Sequence, residues 1–377
     1  MSLEGPAPLS LVQRFDGHTD EVLCAQLVHE DSTLLTASAD YHVSRYNTAT
    51  IAREMSFSFG ASAHCLALGR PDAAGNQFVF VGGAEYVIKA FAVDLAAYQE
   101  MRQQAAATKV VLTPDSFVCA RYEGHAGRVD AITINATGTL MASGGRDFSM
   151  YLWSLTAPAP SVPTAPRRLD AVPTVEPLMV CMGMRVDACP RSHPAQRMDA
   201  HAGQLTAMAF SSSDAGNLLA SSGADHVVKV WDVKGRRSLK STWQADNDKE
   251  GAHKGVVTAV AWGKNASAGT LFSAGWDKTV KVWDGRAKGS PRPLKTLLGH
   301  TARINDLDTS DDGTFVVSVS GDFTARLWNA YGDFDCVAVY YVAATDGSLM
   351  ATSLGTNTFV TAAEKGCIHI WPVYRAE

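Results

Sequence analysis

An eleven-residue pattern recurs seven times between residues 36 and 371. It runs from a small hydroxyl-bearing or apolar residue to a turn residue, usually acidic, four positions on, and to an aromatic six positions beyond that. The copies read TASADYHVSRY (36–46), VGGAEYVIKAF (81–91), SGGRDFSMYLW (143–153), SSGADHVVKVW (221–231), SAGWDKTVKVW (273–283), SVSGDFTARLW (318–328) and TAAEKGCIHIW (361–371). In five copies the turn residue is aspartate: Asp40, Asp147, Asp225, Asp277 and Asp322. The turn separates two runs of apolar or β-branched residues. In one of them Val280 and Val282 alternate with Thr279, Lys281 and Trp283, and a period of two is a strand. Five copies also follow a small residue plus histidine, 28 to 30 residues before the aromatic: Gly17-His18, Gly124-His125, Ala200-His201, Ala252-His253 and Gly299-His300. A unit of this length cannot bury its apolar face alone, so such units stack.

With these residues in register, the chain resembles the WD-repeat β-propeller family. Copies four and five even end in the Trp-Asp pair, Trp231-Asp232 and Trp283-Asp284. The resemblance implies an all-β fold, a single seven-bladed propeller over residues 1–377. Its blade cores are expected near 18–46, 59–91, 125–153, 201–231, 253–283, 300–328 and 342–371. It also implies a hydrogen-bonded chain of histidine, Ser/Thr, aspartate and aromatic inside a blade. The sets are His18, Thr36, Asp40 with Tyr46; His125, Ser143, Asp147, Trp153; His201, Ser221, Asp225, Trp231; His253, Ser273, Asp277, Trp283; and His300, Ser318, Asp322, Trp328. Physics points the same way, because a buried aspartate is costly unless an imidazole and backbone amides satisfy it. Within a blade the histidine is expected to open the first strand, the Ser/Thr to end the second, and the aromatic to lie on the third. Blade two (Val81, Glu85, Phe91) lacks the histidine and blade seven (Thr361, Trp371) has Lys365 for the aspartate, so both are expected to rely more on packing than the others and to open locally first.

The last repeat stops at its third strand, while PLSLVQRFDGH before His18 parallels PRPLKTLLGH before His300. Residues 9–15 are therefore expected to complete the last blade and close the ring, leaving no sheet edge there.

Successive turn residues are 45, 62, 78, 52, 45 and 43 apart, and the excess marks two insertions. Residues 94–107, DLAAYQEMRQQAAA, carry a stripe of Leu95, Tyr98, Met101 and Ala105 after Asp94, which predicts a capped helix covering the rim. A partner-binding helix is the alternative. Residues 156–200 are proline-rich at both ends and predict an extended, mobile loop, within which LMVCMGMRV (178–186) reads as a strand or a docking segment. Cys181, Cys189 and His193 fall there with a spacing that fits no zinc pattern, so no metal is expected.

The connections between third and fourth strands are basic in three neighbouring blades. They carry Arg167 and Arg168; Lys234, Arg236, Arg237 and Lys240; and Arg286, Lys288, Arg292 and Lys295. They make either one basic patch or solvated loops. On the opposite face, Arg146 and Trp276 precede turn aspartates where other blades have small residues, and Glu21, Arg128, Asp130, Arg303 and Asn305 follow the histidines. Trp and Arg dominate binding hot spots, which makes this group the candidate protein-binding surface.

The seven cysteines are odd in number, scattered and free of Cys-x-x-Cys, which points to a reducing cytoplasmic setting, with a nuclear one as the alternative. The sequons at Asn135 and Asn265 then carry no meaning. No apolar run is long enough to span a membrane, and the first residues lack the pattern of a secretory signal. The net charge of −5 argues against a general nucleic-acid binder. There is no phosphate loop, His-Glu-x-x-His or nucleophile elbow. Serine, histidine and aspartate recur together, but a set repeated five times and buried is architecture rather than a catalytic triad. The expectation is a non-catalytic scaffold or adaptor in a multiprotein complex, with no cofactor, protein partners and no membrane insertion. A nucleic-acid or phospho-ligand reader using the basic connections is the alternative; no oligomeric state is implied.

Overall fold

The computed structural model describes residues 13–28, 31–72, 75–109, 111–156, 172–181, 201–212, 217–233, 240–245, 252–287 and 291–373. Among them the strands form seven sheets built as antiparallel meanders, one of them extended by a short parallel strand, making a seven-bladed β-propeller. Blade five shows the plan: Val257–Trp262, Thr270–Gly275, Val280–Asp284 and Lys295–Leu297 run from the axis outward. In such a meander the second-to-third turns and the links entering the next blade share one face, here the turn face. The third-to-fourth connections share the other.

The ring closes between distant parts of the chain. Gln13–Asp16 pairs antiparallel with Cys367–Pro372, matching Gln13 to Ile370 and Asp16 to Cys367, and becomes the outer strand of blade seven. Of the expected segment, residues 13–15 are in this strand, and residues 9–12 lie outside the described ones.

The innermost strands of neighbouring blades share no ladder, so their backbone groups need other partners. A side chain spans each of the seven interfaces. Gln26 accepts from the Leu68 amide, Cys65 donates to Val129 O, Thr133 accepts from the Phe210 amide, and Thr206 donates to Val257 O. Thr258 donates to Ile304 O, Asn305 to Leu349 O, and Ser353 accepts from the Leu27 amide. Between these contacts the core is apolar: Trp153, Trp231, Trp283 and Trp371 are all buried.

The helix spans Leu95–Thr108, and Asp94 caps it by accepting from the amides of Ala96 and Ala97. Tyr98, Met101 and Ala105 are buried. Tyr98 packs on Phe57 and Phe117 while its hydroxyl bonds both backbone groups of Ser56, so the helix lies against the outer strand of blade one. The proline-rich insertion is not one long loop. Thr174–Val175 adds a parallel fifth strand to blade two, and Met179–Cys181 is the missing fourth strand of blade three. Ladder pairing captures both because an open blade edge offers unpaired amides and carbonyls. Residues 157–171 and 182–200 of that insertion, with Cys189 and His193, lie outside the described residues.

Candidate protein-interaction faces and the polar chains beneath them

Four blades carry the same buried relay. In blade five the Trp283 indole N–H donates to Ser273 Oγ (2.8 Å), Ser273 bonds His253 Nε2 (2.7 Å), and His253 Nδ1 bonds Asp277 (2.8 Å). The other carboxylate oxygen accepts from the Thr279 amide, so the chain pins the turn to the blade. Blades three, four and six repeat it through Trp153, Ser143, His125 and Asp147; Trp231, Ser221, His201 and Asp225; and Trp328, Ser318, His300 and Asp322. Burial would raise the Asp225 and Asp277 carboxyls, but the bonds from His201 and His253 outweigh it and hold them below the usual range. Burial likewise keeps His201 and His253 below the usual imidazole range. A neutral imidazole donating from Nδ1 to a carboxylate and accepting from serine at Nε2 satisfies every member.

Three expectations need correction. The serine or threonine sits within the second strand, as Thr36 does in Thr33–Ser38, and the histidine precedes the first strand, because the imidazole must reach back over the blade from the incoming link. In blade one the relay ends at Thr36, since Tyr46 sends its hydroxyl to Gly17 O instead. Blades two and seven do not depend on packing alone. In blade two the buried Lys89 ammonium pairs with Glu85 (2.6 Å) and Asp115 (2.9 Å) and donates to Phe59 O. In blade seven Asp346 takes His369 Nε2 (2.9 Å) and a two-pronged contact from Arg14 of the closing strand (3.0 and 2.7 Å). Each blade keeps one buried charge with its partner nearer the surface, the Lys89 ammonium in blade two and the Asp346 carboxylate in blade seven.

On the turn face, Trp276 is 51% exposed and the Arg303 guanidinium lies over its ring, 5.8 Å from the centroid. Arg128 bonds Asp130 (2.5 Å), and Arg146, half exposed, also reaches Asp130 (3.7 Å). Burial, with Arg128 and Arg146 adding to it, drives His64 down to about 4, so this imidazole is uncharged at neutral pH. Glu21 follows His18 as Arg128 follows His125, and burial together with Glu364 and Asp20 raises its carboxyl while Arg303 pulls it down. Asn305 is not a free contact residue: it bonds blade seven as described above. Asp130 likewise serves to hold the two arginines.

Of the ten proposed basic-patch residues, Arg167, Arg168, Lys234, Arg236, Arg237 and Lys288 lie outside the described residues. Arg286 and Arg292 are exposed. Lys240 and Lys295 belong to fourth strands rather than to connections, and Lys295 donates to Asp333 O.

The inner strands enclose a channel cavity of about 260 Å3 whose lining includes Cys24, Gln26, Thr133, Asp306, Asp308 and Ser353. Burial pushes Asp306 up to about 7; the Thr352 and Leu307 amides pull it down, and Asp308 adds to the rise. A carboxyl whose folded pKa exceeds its unfolded value near 4 opposes folding above the folded pKa, and that penalty fades as the pH falls through it. Asp306→Asn should therefore raise the melting temperature at about pH 8 and raise it less at about pH 5. An equal shift at both would mean that the carboxyl does not titrate there.

Among the described residues no group of His, Cys, Asp or Glu could hold a metal, and no helix is long and apolar enough to cross a membrane. Cys24, Cys65, Cys119, Cys336 and Cys367 are free thiols.

Seven meander sheets closed by the first strand, with an indole–hydroxyl–imidazole–carboxylate relay in four of them, define a repeat propeller that presents loops from a rigid disc. The WD40 model, described as WD domain, G-beta repeat, matches residues 9–47, 117–154, 192–232, 249–284 and 291–329, and the chain belongs to this family. It is 28% identical over 222 residues to the nuclear distribution protein PAC1 of Arthroderma benhamiae, a match covering 55% of this chain and 45% of that one. It is also similar to the APC/C activator protein CDH1 of Saccharomyces cerevisiae, 27% identical over 223 residues, covering 59% of this chain and 31% of that one. A third relative, cell division cycle 20.1, cofactor of APC complex, from Arabidopsis thaliana, is 25% identical over 214 residues, covering 56% and 38%. The chain spans less than half the length of these relatives.

Proposed function

We propose that the protein is a non-catalytic interaction scaffold or adaptor that works in a cytoplasmic or nuclear complex and engages a protein partner through the turn face. The observation that carries this reading is Trp276: a large indole half exposed in a tight turn, backed by Arg303. An exposed indole contributes little to the core, whereas Trp and Arg together are the side chains most enriched where binding energy concentrates. The serine, histidine and aspartate groups that could suggest hydrolysis are buried and already bonded to one another, which leaves none of them presented to a substrate. Similarity to proteins named as an activator and a cofactor of the APC complex agrees with work inside an assembly.

Trp276→Ala combined with Arg303→Ala is expected to abolish capture of at least one partner, a loss of about 2 kcal/mol or more in binding, with little change in melting temperature. Quantitative affinity purification beside a thermal melt checks both halves. A double variant that keeps its full set of partners, or that unfolds, returns Trp276 to a packing role.

A further inference from the structure

Blade two is complete with four strands, yet a fifth sits on its outer edge. Thr174–Val175 pairs in parallel with Val118–Tyr122, Thr174 beside Arg121 and Val175 beside Tyr122. Arg121 and Glu123 donate their amides to Pro173 O (2.9 Å) and Val175 O (3.4 Å). Val172 joins the core cluster of Tyr98, Met101 and Phe117, and Val175 the cluster of Tyr122 and Trp153, while Thr174 between them is exposed. The edge thus holds an extended segment by its backbone and by two valines three residues apart, which is the plan of strand addition.

The segment seated there leaves the edge incompletely satisfied. Arg121 Nε and Tyr122 Oη, on the two residues that pair with it, are buried and have no hydrogen-bond partner. Paired residues of neighbouring strands place their side chains on one face of the sheet, so Arg121 shares a face with Thr174, and Tyr122 with Val175. A buried donor left unmet costs stability until an acceptor reaches it. The Arg121 charge is already met, because Nη2 pairs with Glu123 (2.9 Å), so the missing group is a neutral acceptor rather than another carboxylate.

We infer that the outer edge of blade two is a strand-docking surface for a partner protein, separate from the turn face, and that residues 172–175 occupy it as a displaceable stand-in. The occupant is an extended segment with β-branched residues at the places of Val172 and Val175 and a carboxamide side chain, glutamine or asparagine, at the place of Thr174, whose carbonyl accepts from Arg121 Nε. The stand-in is tethered to the chain and competes at an effective concentration of about a millimolar. Its ladder, however, covers two of the five residues of Val118–Tyr122, and a longer strand gains pairing that it does not make.

Val172→Ser with Val175→Ser loosens the stand-in and leaves Val118–Tyr122 intact. In an anisotropy titration, that full-chain variant should bind a fluorescent Val-Pro-Gln-Val-Glu-Pro peptide about tenfold more tightly than the wild-type chain does, because the tethered competitor is gone. It should bind the Val-Pro-Thr-Val-Glu-Pro peptide more weakly than the glutamine one. Equal affinity of variant and wild type, or of the two peptides, overturns the inference. So does a variant that dimerises in place of binding peptide, because the edge would then take a second copy. Single-amide hydrogen exchange of the wild-type chain decides the matter even where the variant does not fold. The Arg121 and Glu123 amides should exchange about tenfold or more faster than those between Phe78–Gly83 and Ile88–Ala92, as a displaceable strand requires. Equal protection would show a fixed fifth strand and overturn the inference.

Discussion

Deleting residues 1–16 is expected to lower the melting temperature by about ten degrees, whereas deleting residues 157–171, which spares the buried Val172, should change it little. The strand Gln13–Asp16 supplies a full ladder to blade seven, and Phe15 packs on Tyr46. Arg14 is its main contribution. It makes the two-pronged contact to Asp346, a carboxylate only 4% exposed, and Arg14 is the first cause of that carboxyl lying well below the usual range. Removing one partner of a fully buried pair typically costs about 3–5 kcal/mol, and less is expected here because the Arg14 side chain is 40% exposed and its charge is screened by water. A depressed carboxyl pKa contributes stability that is present above the unfolded value near 4 and is lost as the pH falls towards the folded value. The difference between the two deletions should therefore shrink in strong acid. Equal melting temperatures at neutral pH would remove the closure from the account.

Lys89→Ala should cost about 3 kcal/mol in urea unfolding, at the lower end for a buried pair because Glu85 and Asp115 are 29% and 22% exposed. The triple variant Lys89→Met, Glu85→Gln, Asp115→Asn should recover most of it, since a neutral group of similar volume leaves no charge behind. A near-neutral Lys89→Ala would mean that blade two is held by packing, as the sequence pattern alone suggests.

That contrast shows where the sequence could be read and where it could not. The seven-bladed architecture and the closing strand were legible because turn acid, hydroxyl and aromatic recur at fixed spacing. Lys89 and His369 were missed although each stands two residues before the blade's aromatic, where Lys229, Lys281 and Arg326 also stand. The position looks like ordinary strand alternation, and only the fold brings Asp115 and Asp346 to it from other segments. Residues 178–186 could be read only as a strand or a docking segment, because three residues are too few for a periodic signal; the open edge of blade three selects Met179–Cys181 as the strand. Asn305 sat at a promising offset from His300, but the offset faces the next blade as well as the channel mouth, and a backbone carbonyl takes it. Exposure of Trp276 and the stacking of Arg303 depend on two blades at once, and no single repeat reports them.

On the proposed function, the turn face rather than the rim or the opposite connections is the working surface. Hydrogen–deuterium exchange of the full chain, alone and with its purified partner, tests this most directly. Binding should slow exchange in the turn containing Trp276 and in the link from His300 to Arg303, and leave the helix Leu95–Thr108 and the connections after Asp284 unchanged. Protection confined to that helix or to those connections, with the Trp276 turn exchanging as in the free protein, would contradict it.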